Sequence, residues 1–211
     1  MGEAVKRIHL SLPLAALILW GTLYGCAPAN VLTIPRDLAR EAAPPAAGTG
    51  EGAAVAVLDF AWSGPPSGEI GRDFDLVRPI VWKGNPGKSI ADLIAGALAE
   101  KGIAAVRAAG EADAPPDVSA RVWGSLEEFR VNVKRVGVVK VEEEAVATLK
   151  VQGVSPGVPE GWNTTVSSSY MDDYPYVTPF VVYDTINAAA NAAADEAVRR
   201  LLAAGVVSAP K

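Results

Sequence analysis

The side chains best suited to nucleophilic and acid–base chemistry in this protein are one cysteine and one histidine. The chain has 211 residues with a single Cys and a single His. Both lie near the N-terminus, where His9 precedes an apolar stretch and Cys26 follows it. A Cys–His or Ser–His–Asp site needs an imidazole in the folded part of the protein. What becomes of Cys26 and His9 therefore decides much of the possible chemistry.

The N-terminus has the order of a secretory signal peptide. A basic pair, Lys6 and Arg7, precedes an apolar run ending at Leu19 that is shorter than the roughly 20 residues a membrane span needs. The sequence Leu-Tyr-Gly-Cys, ending at Cys26, resembles the lipobox of bacterial lipoproteins. The resemblance implies cleavage before Cys26 and acylation of that residue, and two or more acyl chains anchor a protein stably. The alternatives are ordinary secretion with a free thiol, or an uncleaved anchor.

Removal of residues 1–25 would reduce the kinds of catalytic and metal site that the mature chain could form. That chain would have no imidazole, and its only thiol would carry lipid. The net charge of −5 also argues against a nucleic-acid-binding surface. We therefore expect a protein that is not an enzyme and has no cofactor and no metal site. Ala27 stands where an Asp would favour inner-membrane retention, so the expected location is the outer membrane, facing the periplasm.

Composition divides the mature chain into a tether and a domain. Residues 26–52, the lipidated Cys included, are rich in Pro, Gly and Ala, which is typical of a flexible linker. An apolar segment over 31–35 interrupts the linker. It either lies along the domain as an extended edge segment or stays near the membrane. Residues 53–211 have the composition of one globular periplasmic domain.

Apolar periodicity in residues 53–211 predicts an α+β fold. Strands are predicted over 53–61, 76–82, 103–108, 118–133, 139–151 and 162–170. One helix begins at Ser89 and ends at Gly102. An Ala-rich helix, capped by Thr178, ends at Gly205. This order predicts a mixed, mostly antiparallel sheet with two main helices packed on one face.

Five segments beside the lipobox occur in a recognisable order: the strand AVLDF, the helix ending EKGI, the strand VWGSLEEFRVNV, its partner GVVKVEEEAVATLKV and the terminal Ala-rich helix. Together, over residues 53–204, they resemble the YajG-like group of uncharacterised bacterial lipoproteins. The resemblance implies an outer-membrane lipoprotein without known enzymatic activity.

Acidic runs lie on two of the predicted strands, at 127–128 and 142–144. A carboxylate pair could support glycoside hydrolysis if burial raised the pKa of one member, with Glu127 and Glu143 as candidates. Neighbouring side chains on a strand point to opposite faces, so a solvated charged face is the favoured interpretation. The pair Asp172 and Asp173 lacks the alternating oxygens and glycine of a calcium loop, so no metal site is predicted there.

Aromatic residues are concentrated between 162 and 183. They predict a partner-binding surface at Trp162, Tyr170, Tyr174 and Tyr176, because aromatic side chains dominate interface anchors. The alternative is that these aromatics fill the core beneath the last helix.

The function predicted from these observations is a lipid-anchored binding or adaptor module with a protein partner in the cell envelope. A partner would add a strand to an open sheet edge or dock on the aromatic segment. The alternative is an accessory lipoprotein of envelope transport or lipid trafficking, which requires an apolar pocket of acyl-chain size. A carboxylate-based hydrolase is the third interpretation.

Overall fold

The computed structural model describes residues 31–34, 36–40, 54–73, 78–136 and 140–208. The predicted signal peptide, Cys26 and most of the predicted tether lie outside the described residues. Within the described ranges, no helix combines the length and the apolar character that crossing a bilayer requires.

The described residues form one nine-stranded sheet and two α-helices, which confirms the predicted α+β class. In chain order the elements are β1 (Leu32–Ile34), β2 (Val55–Leu58), β3 (Ala61–Trp62), β4 (Glu69–Arg72), β5 (Pro79–Trp82), α1 (Pro86–Glu100), β6 (Ala105–Ala108), β7 (Ala120–Val136), β8 (Lys140–Ser155), β9 (Val158–Tyr174) and α2 (Pro179–Ala203).

Strand β7 joins the two halves of the sheet. On one side it pairs with β8 along almost its whole length, and β8 pairs with β9 in the same antiparallel way. On its other side β7 pairs in turn with the short parallel strands β2, β3 and β4. Strand β6 lies beside β2, β5 beside β4, and β1 beside β5. The sheet is therefore mixed, with the long antiparallel ladders dominant, as predicted.

Side chains cap both helices at their N-termini. The Asn85 side chain accepts a hydrogen bond from the Lys88 amide at 3.1 Å, so α1 begins at Pro86, three residues before the predicted start. At α2, Thr178 accepts from the Val181 amide at 3.2 Å, as its position before a proline predicts.

Both helices cover the same face of the sheet, here called the covered face. Five alanines of α2 have no exposed surface, which lets the helix approach the sheet closely: Ala189, Ala190, Ala193, Ala194 and Ala197. Successive side chains of β2 point to opposite faces of the sheet. Val57 belongs to the main core, and Leu58 belongs to a small cluster on the other face. Neither α1 nor α2 packs on the opposite face, here called the open face.

The tether predicted for residues 26–52 is wrong for the segment that contains β1. Leu32 and Ile34 are 5% and 0% exposed, and β1 pairs in parallel with β5. Arg40 donates to Glu100 of α1 and, at 2.6 Å, to Asp195 of α2. Burial of alternate apolar side chains outweighs the linker-like composition around them. The domain therefore includes 31–34 and 36–40, and the extended edge segment is the alternative observed.

We expect Ile34→Ala to destabilise the domain by about 2–5 kcal/mol, because it removes a fully buried side chain between β1 and the helices. The matched control is Thr33→Ala, half-buried on the same strand, for which a change below about 1 kcal/mol is expected. Urea denaturation of the mature chain carrying Cys26→Ser measures both. Equal stability of the two variants would show that β1 is not part of the cooperative unit.

Candidate functional site

Strand β9 forms a long open edge of the sheet. It has 17 residues and, in the part of the chain that the structure describes, pairs only with β8. Its open-face side chains are small, polar and exposed at Thr165, Ser167 and Ser169, and the large, 54% exposed side chain of Met171 follows them. An edge strand of this length presents main-chain N–H and C=O groups to which another strand can bind.

Arg200 of α2 closes part of this edge. Its Nη1 donates to the Thr165 carbonyl and to Thr164 Oγ1, both at 2.9 Å, while Glu196 accepts from its Nε at 2.7 Å. The contact places the Thr165 carbonyl on the side away from β8. In this strand the main-chain N–H and C=O of one residue point to the same side, and the side alternates from one residue to the next. The main-chain groups of Ser167 and Ser169 therefore also point away from β8. Residues 167–173 are here called the open half of β9.

A polar cluster lies on the covered face beside the open half. Tyr170, Asp172 and Tyr174 alternate along β9, and both tyrosine hydroxyls donate to Asp172 Oδ2, at 3.5 and 3.2 Å. Glu143 of β8 is the direct partner of Asp172 in the strand register, and Thr185 of α2 lies over it. Two carboxyl groups of neighbouring strands therefore share one side of the sheet.

Glu143 is the buried member of this cluster. Its side chain has no exposed surface, and its Oε1 has no hydrogen-bond partner. Burial raises the pKa of Glu143 to about 7; the hydrogen bond from Thr185 opposes this shift, and the charge of Asp172 adds to it. Glu143 therefore gains a proton well above the pH at which an ordinary glutamate does.

Only a weak hydrogen bond reaches the Glu143 carboxyl group. Thr185 Oγ1 donates to the Val181 carbonyl at 3.0 Å and to Glu143 Oε2 at 3.4 Å. A hydroxyl has one proton to donate, so the longer bond to Glu143 is the weaker of the two. Because Glu143 Oε1 has no partner, the bond from Thr185 does not offset the cost of burying a charged carboxylate, and burial dominates the shift in pKa.

The structure brings three of the four predicted aromatic residues together and separates the fourth. Tyr170 is 40% exposed, Tyr176 is 63% exposed and Tyr174 is half-buried, all near the C-terminal end of β9. Trp162 pairs with Gly153 and packs half-buried against the core, twelve residues or about 40 Å from Tyr174 along the strand. The fifth predicted site residue, Cys26, lies outside the described residues.

The favoured interpretation, that the acidic run at 142–144 lies on a solvated face of the sheet, is wrong for Glu143. Its two neighbours in the run lie half-buried on the open face, but Glu143 shares the parity of Val141 and Ala145 and faces the core. This parity is the sequence signal that identifies it. Glu127 is the exposed extra residue of a β-bulge in β7 and lies about 17 Å from Glu143 along the ladder. The two candidates therefore do not form a catalytic pair.

Two clefts were not predicted from the sequence. One, of about 510 Å³, lies between Trp62 and Trp82, whose rings each meet Phe129 edge to face at 5.5 and 5.3 Å. Two tryptophans flanking a Pro- and Gly-rich segment were its only sequence signal. The other, of about 700 Å³, lies between the helices and is lined by charged groups such as Arg40 and Glu100. Neither has the closed apolar walls that an acyl chain requires.

The comparisons with known proteins identify a fold and no family. No family model matches the chain, and no curated protein matches its sequence. The fold is similar to that of XCC0632 from Xanthomonas campestris, of family-model DUF330, with 11% identity and a TM-score of 0.50 over 84% of this chain and 95% of that chain.

Two further solved structures resemble the chain less closely. The PelC dodecamer from Paraburkholderia phytofirmans has 19% identity and a TM-score of 0.39 over 70% of this chain and 86% of that chain. A minor lipoprotein from Acinetobacter baumannii has 11% identity and a TM-score of 0.40 over 72% and 94%. At these identities only the shared α+β architecture with XCC0632 follows, and membership of the YajG-like group stays a prediction.

We expect the stability of the domain to fall as the pH rises from about 5 to 8. The folded-state pKa of Glu143 is raised from 4.5 to about 7, so its contribution is complete below pH 4.5 and is lost as the pH rises through 7. The loss is on the order of 3 kcal/mol. Urea denaturation at both pH values measures it. Glu143→Gln removes this slope, whereas Glu142→Gln on the open face retains it; an unchanged slope in Glu143→Gln would contradict the assignment.

Proposed function

We propose that the protein is a non-enzymatic binding module of the bacterial envelope, anchored by lipid on Cys26 to the outer membrane and facing the periplasm. Its partner is an extended segment of another envelope protein that pairs with the open half of β9. The observation that carries the proposal is the outward main-chain edge of 167–173, which Arg200 leaves free; within it, the Asp173 N–H already donates to Asp172 Oδ1 at 2.7 Å.

Strand addition suits the first part of this edge, before Met171, because the side chains there are small. Ser167 and Ser169 on the open face offer little steric hindrance to an incoming strand. Main-chain hydrogen bonds would supply affinity, and alternate side chains of the partner would supply specificity. On the covered face those side chains would meet Tyr170, which is 40% exposed and already oriented by its bond to Asp172.

The absence of catalysis is supported by how the acidic groups are placed. Glu143, the carboxyl group with a strongly raised pKa, is sealed beneath α2, where no substrate can reach it. Three carboxyl groups line a small cleft beside Trp62. Arg72 and Arg130 engage Glu69 and Glu128, and Glu127 accepts a hydrogen bond from Ser125 Oγ. Glu69 and Glu128 are therefore not placed as proton donors to a glycosidic oxygen.

The lipid anchor is tested by Cys26→Ala. We expect the natural chain to sediment with membranes and to incorporate a labelled fatty acid, and Cys26→Ala to lose the label and leave the membrane fraction, because acyl chains supply the anchoring. The matched control is Tyr24→Ala, which keeps the cysteine and should stay anchored. A membrane-bound Cys26→Ala protein would contradict lipid anchoring.

Strand addition is tested by Ser169→Pro, which removes an outward N–H without removing a bond to β8. With a photoreactive residue at Ser167, crosslinking in cells should capture a partner in the parent protein and in the control Ser169→Ala, which keeps the N–H. We expect capture to fall about tenfold or more in Ser169→Pro, because the added strand loses a hydrogen bond and meets the proline ring. The melting temperature should not change, since Pro is tolerated on an outward edge.

Equal capture by Ser169→Pro and Ser169→Ala would exclude strand addition at the open half. A lowered melting temperature in Ser169→Pro would instead show that this N–H points to β8, which contradicts the orientation assigned from Arg200.

A further inference from the structure

The large apolar side chains that stand exposed among the described residues are grouped at one end of the sheet. They are Val31, Val136, Tyr170, Met171, Tyr176 and Phe180, with 40–63% of their surface exposed. Such side chains are unremarkable when scattered singly over a surface, but a group at one end marks a contact.

The strand registers show this grouping directly. One row of paired residues crosses the sheet from β1 to β9: Leu32, Ile80, Gly71, Val131, Ala145 and Tyr170. Val31 and Met171 lie one position beyond this row. Val136 lies five positions beyond it, and Tyr176 lies past the end of β9. We call this end of the sheet the tyrosine end.

Helix α2 adds Phe180 to the same end. The helix runs from Thr185, above Glu143, to Leu201, whose side chain approaches Gly153 at the other end of β8. Its first turn therefore projects past Glu143 towards the tyrosine end. Phe180 is 60% exposed there, with the Arg36 guanidinium 5.1 Å from its ring centroid.

The chain leads from the tyrosine end back to the anchoring cysteine. Strand β1 runs away from this end, so the chain before Val31 is attached on the tyrosine side of the row. Val31 is the fifth residue after Cys26, and five residues span at most about 18 Å. Lipid on Cys26 would hold Val31, at the β1 edge of the tyrosine end, within about 18 Å of the bilayer interface, whatever path those residues follow.

Among the described residues of this end, ion pairs engage three of the basic side chains, and Arg36 stacks on the Phe180 ring, so no basic patch forms there. Lys140 bonds Asp173 at 2.6 Å, Arg78 bonds Asp73 at 2.9 Å, and Lys134 lies 3.9 Å from Glu142. A surface that binds anionic headgroups would need unneutralised Lys and Arg. The contact at the tyrosine end therefore depends on its apolar and aromatic groups, which favour the boundary between headgroups and acyl chains.

From this arrangement we infer that the tyrosine end is a membrane-contact surface, and that Val136, Tyr176 and Phe180 rest in the interface of the bilayer that holds the lipid on Cys26. The inference rests on the proposed lipid anchor and adds an orientation to it. The long axes of the strands then point away from the membrane surface, and the open half of β9 stays accessible from the side.

The test uses the full lipidated chain in vesicles of phosphatidylethanolamine and phosphatidylcholine, without anionic lipid. Cys26 carries lipid, so a single introduced cysteine can be spin-labelled selectively. One variant is Tyr176→Cys. The matched control is Ala203→Cys, exposed at the last residue of α2 and so at the opposite end. Collision rates of each label with oxygen, which concentrates in lipid, and with a water-soluble nickel chelate report its depth.

We expect the oxygen-to-nickel collision ratio at Tyr176→Cys to be several-fold higher in vesicles than in the same domain carrying Cys26→Ser in buffer. The ratio at Ala203→Cys should not change. Adding Phe180→Asp should lower the ratio at Tyr176→Cys, because a carboxylate resists transfer into the interface. Raising the salt concentration should leave both ratios unchanged.

Flotation separates the possible failures. If the chain floats with the vesicles but both labels keep their aqueous ratios, the lipid anchor holds and the membrane-contact surface is wrong. If the chain does not float, the proposed anchor itself fails, and the orientation fails with it. An effect that disappears at high salt would also overturn the inference, because it would identify an electrostatic contact.

Discussion

The structure depends on one constraint: helices cover a single face of the sheet, and strand side chains alternate between the faces. Position parity alone therefore decides whether a side chain meets helix α2 or the open face. Val141, Ala145 and Leu149 place buried apolar side chains on the covered face. Glu143 has the same parity and is buried with them, although it carries a carboxyl group. Burial therefore raises the pKa of Glu143 to about 7, because a neutral acid costs far less to bury than a carboxylate.

The long strand β7 divides the molecule into a regular and an irregular half. Towards β8 and β9 the ladder is nearly continuous, because hairpin connections keep the partners adjacent in sequence. On its other side, β7 pairs with three short strands, β2, β3 and β4, which leave gaps between them. Close main-chain approach is needed on both sides: a Cβ on Gly71 would lie 2.0 Å from the Val131 carbonyl, and one on Gly124 2.0 Å from that of Lys150.

These two halves explain what could be predicted from the sequence. Alternation and capping residues are local, so the α+β class, both helices and the antiparallel strands follow from them. Local composition predicts a tether at β1, because the three residues of this strand gain stability only beside β5 and composition carries no sign of that contact. Strand β7 continues through Gly124, because the glycine makes room for the Lys150 carbonyl. Three of the four predicted aromatic residues lie together, whereas Trp162 belongs to the same aromatic-rich segment but lies far along the strand.

The early position of β1 also changes how a lipid anchor would act. A 26-residue linker would let the domain turn freely, whereas docking of β1 leaves about 18 Å of chain between Cys26 and the domain. A tether shorter than the domain limits which surface can face the bilayer. If the proposed anchor holds the tyrosine end near the membrane, residues 167–173 form a membrane-proximal edge. A partner that pairs there would have to bring its own extended segment close to the membrane, as a membrane-anchored or membrane-bound protein does, so the proposed anchor would select the partner as much as the edge itself.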